Sequence, residues 1–389
     1  MIYLDNAATT AVAPEVLEAM QAYLREEYGN PSAVYTKAAV SREAVDRARS
    51  EIASVIGADP DEIYFTSGGT EADNWALVGC WEANRERGGH LITSGIEHPA
   101  VLRTCEYLEQ RGAEITYLKP DSEGRIDPSD VKAAIREDTI LISVMAANNE
   151  IGTIEPIREI GEIAEANGIL FHTDAVQAFG HIPLDVRNMK IDALSASGHK
   201  FHGPKGVGFL YVRKGVKIRS FLHGGEQERG RRAGTLNVPG IVGMGRAAAL
   251  ADSCMKESSE RERMLRDVFI SRIEKEIPCV MLNGAREMRL PNNVNFCLRY
   301  LEAESALILL DLKGIAASAG SACASGSLNP SHVLLACGRD YEDAFSSLRF
   351  TLSGETTREE VDAAVDALKE IAEKLRSRNP DYPNRADAQ

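Results

Sequence analysis

The stretch Ile169–Val212, "ILFHTDAVQAFGHIPLDVRNMKIDALSASGHKFHGPKGVGFLYV", contains the short apolar runs "ILFHTD", "DALSAS" and "GVGFLYV", separated by polar and glycine-bearing segments. Upstream, from about residue 60, the runs "EIYFT", "HLITS" and "TILISVMA" continue the series. Short runs bounded by turn residues read as strands, and their alternation with helix-period segments predicts a mainly parallel sheet covered by helices. The segment "PIREIGEIAEANG" is one such crossover helix: Pro156 stands near its start, Ile157, Ile160 and Ile163 share a face, and Gly168 is the stop.

Sheets of this kind bind ligands beyond the carboxyl ends of their strands. Lys200 follows the run "DALSAS" in small, polar surroundings, "SASGHKFHGPKG". A lysine there becomes a nucleophile when burial or a nearby cation destabilises its ammonium, and a Schiff base with a carbonyl cofactor is its commonest covalent role. Taken alone, a strand-end lysine is more often a solvated residue. Asp174, at the end of "ILFHTD", is the second element. By itself it reads as a helix cap. With Lys200 it completes the pair that a pyridoxal phosphate enzyme needs, a carboxylate that keeps the pyridine nitrogen protonated and an amine that forms the Schiff base and moves protons.

A phosphate can be held by "FTSGGTEADN", a strand, a Gly68-Gly69-Thr70 turn and a helix expected to begin near Glu71. Backbone N–H groups at a helix start, with the Thr70 hydroxyl, form an anion site, and Ser197 and His199 add donors. His98, in "SGIEHPAV", follows another strand and is placed to stack on a ring and to relay protons. A histidine standing alone would read as a satisfied core residue.

Composition sets bounds on this reading. The chain has 389 residues, 44% of them apolar, with 32 glycines, enough for more than one core. Its 44 basic residues face 58 acidic ones, a formal charge of −14, which argues against nucleic acid or an anionic membrane surface as partner. The cluster Arg229, Arg231, Arg232 is a local feature, a solvated loop or a contact for a phosphate or carboxylate. No apolar run approaches the ~18 residues that span a bilayer, and the start "MIYLDNAATT" lacks a basic, then hydrophobic, leader, so a cytoplasmic location is expected.

A change of composition after "GMGRAAALADSC" suggests a boundary near residue 255. The expected units are a large domain, 15–255, and a small domain built from 1–14 and 256–378, with 379–389 a frayed tail. In the small unit "TREEVDAAVDALKEIAEKLRSR" opens with a Thr357-x-x-Glu360 capping box and has one apolar face.

Seven cysteines without a C-x-x-C spacing suit neither a disulfide framework nor a zinc site. Cys323 lies in "SAGSACASGS", among Ser, Ala and Gly, and reads as a reactive thiol on a mobile loop. Cys80, Cys105, Cys254, Cys279, Cys297 and Cys337 read as packing residues.

In order along the chain, "YLDNAATT", "GNPS", "TSGGTEADN", "EHPAVL", "NNEIGTIEP", "HTDAVQAFG", "SGHKFHGPKGVGFLYV" and "RAGTLNV" resemble the class V aminotransferase branch of the fold type I pyridoxal phosphate enzymes. More narrowly they resemble the cysteine desulfurases of the IscS/NifS kind, and the match runs from Tyr3 to about Leu352. The resemblance implies the α/β transferase fold of type I, with a mainly parallel seven-stranded sheet between helices and a smaller α+β domain. It implies pyridoxal 5'-phosphate as cofactor and L-cysteine as substrate, with L-alanine and a persulfide on Cys323 as products. Lys200, Cys323 and His98 carry the catalysis in that reading, Asp174 and Gln177 meet the ring, and Gly69, Thr70, Ser197 and His199 hold the phosphate. Thr235 would reach the phosphate from a second subunit, which implies a homodimer, and Asn149 and Arg349 would bind the substrate carboxylate. The implied acceptor is an iron–sulfur scaffold protein of the IscU/NifU type or another sulfur carrier, with no metal in the free enzyme and Cys323 able to ligate iron in a complex.

Tyr35, Ala319 and Ala324 depart from the residues usual at their places, and this bears on loop contacts and substrate entry. Other activities of the same scaffold, a selenocysteine lyase, a sulfinate desulfinase or an aminotransferase, share the cofactor chemistry. A protein acting chiefly as an assembly partner through Cys323 is the remaining alternative.

Overall fold

The computed structural model describes residues 1–319 and 330–383. Its seven-stranded sheet runs, edge to edge, Ile63–Thr66, Gly208–Val212, Ala193–Ser197, Leu170–Asp174, Thr139–Ser143, His90–Ser94 and Glu114–Leu118. Only Gly208–Val212 runs against its neighbours; the others share one direction, as crossover helices require. The expected runs all appear as strands. Glu114–Leu118 is an addition, a partly exposed edge strand whose "EITYL" mixes polar and apolar residues and so lacks the apolar run of its buried neighbours.

Helices cover both faces of this sheet. Gly69–Asn84 and Pro99–Glu109 bury Trp75, Leu77, Val101 and Cys105 on one face. On the other, Thr36–Val55, Ile157–Ala166 and the first part of Val238–Glu276 enclose Ile52, Ile160, Phe171, Phe209 and Met244. The crossover helix starts at Ile157 and stops before Gly168, which has φ +65°, a conformation that a residue with a Cβ rarely adopts.

A second core lies around the three-stranded antiparallel sheet Ser347–Thr351, Asn293–Leu298 and Val280–Leu282. It gathers Leu4, Phe269, Ile273, Phe296, Phe350 and the apolar face of Arg358–Arg376. That last helix opens on the expected capping box, with Thr357 N donating to Glu360 Oε2 (3.0 Å) and Glu360 N to Thr357 Oγ1 (3.2 Å). The long helix Val238–Glu276 joins the two cores, burying Ile241 and Met244 in the first and Phe269 and Ile273 in the second. Residue 255 lies inside it.

The start of the chain is stitched to the second core. Ile2–Tyr3 pairs in parallel with Ile315–Ala316, and Asp5 makes a bridge to Thr351. From there residues 6–13 cross to the carboxyl edge of the large sheet, where Thr10 N donates to His199 O (3.0 Å).

Cys80, Cys105, Cys297 and Cys337 are buried, as packing residues should be, and burial raises their thiols, Cys80 to about 12. Cys254, in contrast to that expectation, is exposed on the long helix, where its thiol donates to the carbonyls of Leu250 (3.1 Å) and Ala251 (3.8 Å). Cys279 is half-buried.

Candidate active site

The floor of the site is made at the carboxyl ends of parallel strands: Leu170–Asp174 and its neighbour Ala193–Ser197 carry Asp174 and lead to Lys200, and His90–Ser94, one strand further across the sheet, leads to His98. Asp174 is the last residue of its strand, in register with Ser195 of the neighbour, and is 5% exposed. Burial raises its carboxyl above the usual carboxylate range, while His98, the Val176 amide and Lys200 draw it down. The amide of Val176 donates to Asp174 Oδ1 at 2.9 Å, fixing the plane of the group. Lys200 closes the short turn Gly198–Lys200 that follows Ala193–Ser197. Its Nζ is half-buried and donates to the carbonyls of Ala7 (2.6 Å) and Ala8 (2.9 Å).

His98 caps the helix Pro99–Glu109, with Nδ1 accepting from the Ala100 amide (3.1 Å). Burial lowers its imidazole, Lys200 and His332 push the same way, and Asp174 opposes them. Asp73, His98 and Asp174 each bring an atom within 4.8 Å of the other two. Asp73 is buried in the first turns of Gly69–Asn84, and burial followed by the charge of Asp174 raises it strongly. His172 Nε2 lies 3.7 Å from Asp73 Oδ1, and burial pushes its imidazole down to about 3. Two carboxyls this close in a buried layer do not both ionise cheaply.

Beside this floor lies a depression of about 450 Å³, lined by Ala8, Gly68, Gly69, Thr70, Ser197, His199 and Lys205. The helix begins at Gly69, two residues ahead of the Glu71 start expected from the sequence. A Cβ on Gly69 would come within 2.6 Å of Val176 Cγ2, and one on Gly208 within 2.7 Å of Gly68. Only glycine lets the two turns approach, and the approach leaves the helix-start amides open to an anion. His199 is pushed down to about 4, by burial first and then by Lys200 and Lys205, and its Nδ1 lies 3.2 Å from Thr9 Oγ1. Thr70, Gly69, Ser197 and His199 are thus brought together as expected. Thr235 is exposed and does not line this depression.

At the other end Arg349, on Ser347–Thr351, is 1% exposed. Its Nη1 donates to the Asn149 backbone carbonyl (2.8 Å) and its Nη2 to Asp5 Oδ1 (2.8 Å). Asn149 and Arg349 therefore meet, but through the backbone of Asn149. Gln177 is buried and donates to the Ala7 carbonyl (3.0 Å), on the same strap of chain as Asp5. Cys323 lies outside the described residues. Ser318, the nearest residue before it with a described partner, exchanges both backbone bonds with Arg349.

Asp5, Asp73 and His332, whose Nε2 lies 3.0 Å from the Glu97 carbonyl, escape sequence reading. Asp5 and Asp73 do sit in quoted motifs, "YLDNAATT" and "TSGGTEADN", but nothing local to either motif points across the fold.

The arrangement brings together a buried acid, an amine and an imidazole, with an anion site formed by residues neighbouring Lys200 in the chain. The aminotransferase class-V family model matches residues 2–364. The chain belongs to that family. Among its relatives, a cysteine desulfurase IscS of Methanosarcina thermophila is 56% identical over 382 residues, 98% of this chain and 94% of the relative. One of Dictyoglomus turgidum is 54% identical over 97% of this chain and 96% of its own length. Among solved structures, a NifS-like protein superposes with a TM-score of 0.90 at 39% identity, covering 96% of this chain and 99% of that one. A protein described as SspA in complex with cysteine gives 0.81 at 38% identity, with 92% and 100% covered. In this class-V chain the α/β architecture of fold type I is present, and among the described residues no helix is long and apolar enough to cross a membrane.

Proposed function

We propose that the protein is a cysteine desulfurase: with pyridoxal 5'-phosphate it converts L-cysteine to L-alanine and leaves the sulfur as a persulfide on Cys323. The observation that carries this reading is the convergence of Asp174, Lys200 and His98 beyond the carboxyl ends of parallel strands of one sheet, with the glycine-lined anion site after Ile63–Thr66 and Ala193–Ser197. The donor set fits the cofactor. Asp174 is a buried carboxylate suited to a protonated ring nitrogen, Lys200 an amine suited to an aldehyde, and Gly69, Thr70, Ser197 and His199 suit a phosphate. Gln177 would turn from the Ala7 carbonyl to the ring hydroxyl, and Thr235 of a second copy would complete the phosphate site of a homodimer. When bound, the cofactor supplies an electron sink for the substrate carbon.

The chain's own groups do the rest. Arg349, with Asn149, receives the α-carboxylate and so aims the Cα proton at Lys200, which removes it. His98 relays protons for the thiols, taking the proton of the Cys323 thiol as it becomes the nucleophile. Cys323 as thiolate attacks the substrate sulfur; the S–S bond forms as the C–S bond breaks, and the pair left on the substrate's β-carbon takes up a proton to give the methyl group of L-alanine. The persulfide passes to an iron–sulfur scaffold of the IscU/NifU type or another acceptor, in the cytoplasm. We read the chain as a large unit over 15–255 and a small one over 1–14 and 256–378, with the site between them.

The test is a visible spectrum of the purified protein, then L-cysteine, scoring alanine and sulfide together. Wild type gives both and Cys323→Ala gives neither. An aminotransferase would keep its activity without Cys323, and a selenocysteine lyase would turn over L-selenocysteine far faster than L-cysteine in a side-by-side assay. A colourless preparation that stays inert with added pyridoxal phosphate refutes the proposal.

A further inference from the structure

We propose that Asp5 is a built-in competitor for the substrate α-carboxylate at Arg349, and so sets how loosely both substrate and product are held. The inference rests on the function proposed above, in which Arg349 receives that carboxylate.

Asp5 and Arg349 are 344 residues apart in the chain and form an ion pair of 2.8 Å. The arginine side chain is 2% exposed and the aspartate 20%, so the guanidinium is enclosed while the carboxylate keeps one edge toward solvent. Asp5 is held there by backbone structure. It bridges to Thr351 on the strand that bears Arg349, and the Ala7 amide donates to Thr351 Oγ1 (2.8 Å). A carboxylate arriving at Arg349 therefore meets a charge that is already answered, with a like charge at contact range. Electrostatic terms of this kind are large in an enclosed site.

Asp5 is not needed to aim the arginine. Arg349 Nη1 is fixed on the Asn149 carbonyl, and its backbone pairs with Ser318 on one side and Asn295 on the other. Neutralising Asp5 thus changes the charge around the fork more than its direction. L-alanine carries the same carboxylate as L-cysteine, so the penalty falls on substrate and product alike. That is uniform weakening, which raises KM and eases product release without touching the chemical step.

The experiment compares wild type with Asp5→Asn, each loaded with pyridoxal phosphate, by titrating the visible band with L-alanine and, as a probe without a carboxylate, with ethylamine. Asp5→Asn binds L-alanine roughly five- to tenfold more tightly, with ethylamine unchanged, and its KM for L-cysteine falls by a similar factor. Should the asparagine variant not fold, Asp5→Ser, smaller and also neutral, carries the same expectation. Unchanged or weaker L-alanine binding makes Asp5 a support for Arg349 and overturns the proposal, as does equal tightening toward ethylamine. If the wild-type band itself ignores L-alanine, the proposed function fails and this inference with it.

Discussion

Asp174, Ser197 and Lys200 come from adjacent strands within one stretch of chain, whereas Arg349 meets Asn149 and Asp5 across separations of 200 and 344 residues. The first group is the proposed cofactor half of the site and the second its substrate half. The cofactor half has its geometry set by the register of one sheet, and its chemistry by burial. The substrate half is assembled where the start of the chain, held by the second core, crosses to the first. The difference implies a division of labour. Changes on the sheet side should act on the chemical step, and changes on the strap side on binding.

The largest effect tests the sheet side. Lys200→Ala should lower kcat at least about a thousandfold and change the absorbance of the bound cofactor, because it removes the group that moves the Cα proton. A variant that retains substantial turnover would end the assignment of chemistry to that side. Next comes the strap side. Arg349→Lys keeps the charge but loses the planar fork, so KM for L-cysteine should rise roughly tenfold with a much smaller change in kcat. A fall confined to kcat would erase the division.

A smaller effect concerns the buried acids under the sheet side. Glu97 is fully buried and pushed up to about 8, chiefly by burial, despite bonds from Ser94 and the Met145 amide. A carboxyl with a raised folded pKa binds more protons in the native state than in the unfolded one. Its contribution to stability is therefore complete below the ordinary glutamate range and lost as pH rises toward 8. Glu97→Gln removes that loss, so the variant should gain on wild type by on the order of 2 kcal/mol between pH 5 and pH 8.5 in denaturant titrations. Parallel pH profiles would show that Glu97 is not held neutral. The smallest effect lies away from both halves. Thr357→Ala removes a capping box from Arg358–Arg376 and should cost about 1 kcal/mol of stability, with steady-state kinetics unchanged.

Much of the cofactor half is legible in the amino-acid sequence, because each element announces itself within a short window. The runs "ILFHTD" and "DALSAS" each end in a chemically telling residue, and a Gly-Gly turn before a helix points to an anion. The helix start reads as Glu71 and lies at Gly69, since glycine carries no helix signal of its own and only its close approach to Val176 explains its place. The strand Glu114–Leu118 gives no apolar run to read, because an edge strand need not be apolar. Cys254 reads as a packing residue and is exposed, since a lone cysteine in a charged helix has no pattern that tells packing from exposure.

By itself the sequence determined six of the seven strands of the large sheet, the crossover helix after Pro156, the cap at Thr357, and which residues could serve as acid, amine and imidazole, all properties written within a few neighbouring residues. Tertiary structure alone decided that Asp73 lies within 4.8 Å of Asp174, that Lys200 donates to the Ala7 and Ala8 carbonyls, and that Asp5 answers Arg349. These pairings join segments that share no local period. They arise only when the sheet register and the docking of the first strand against the second core bring distant charges within a few ångströms, where burial sets their strength.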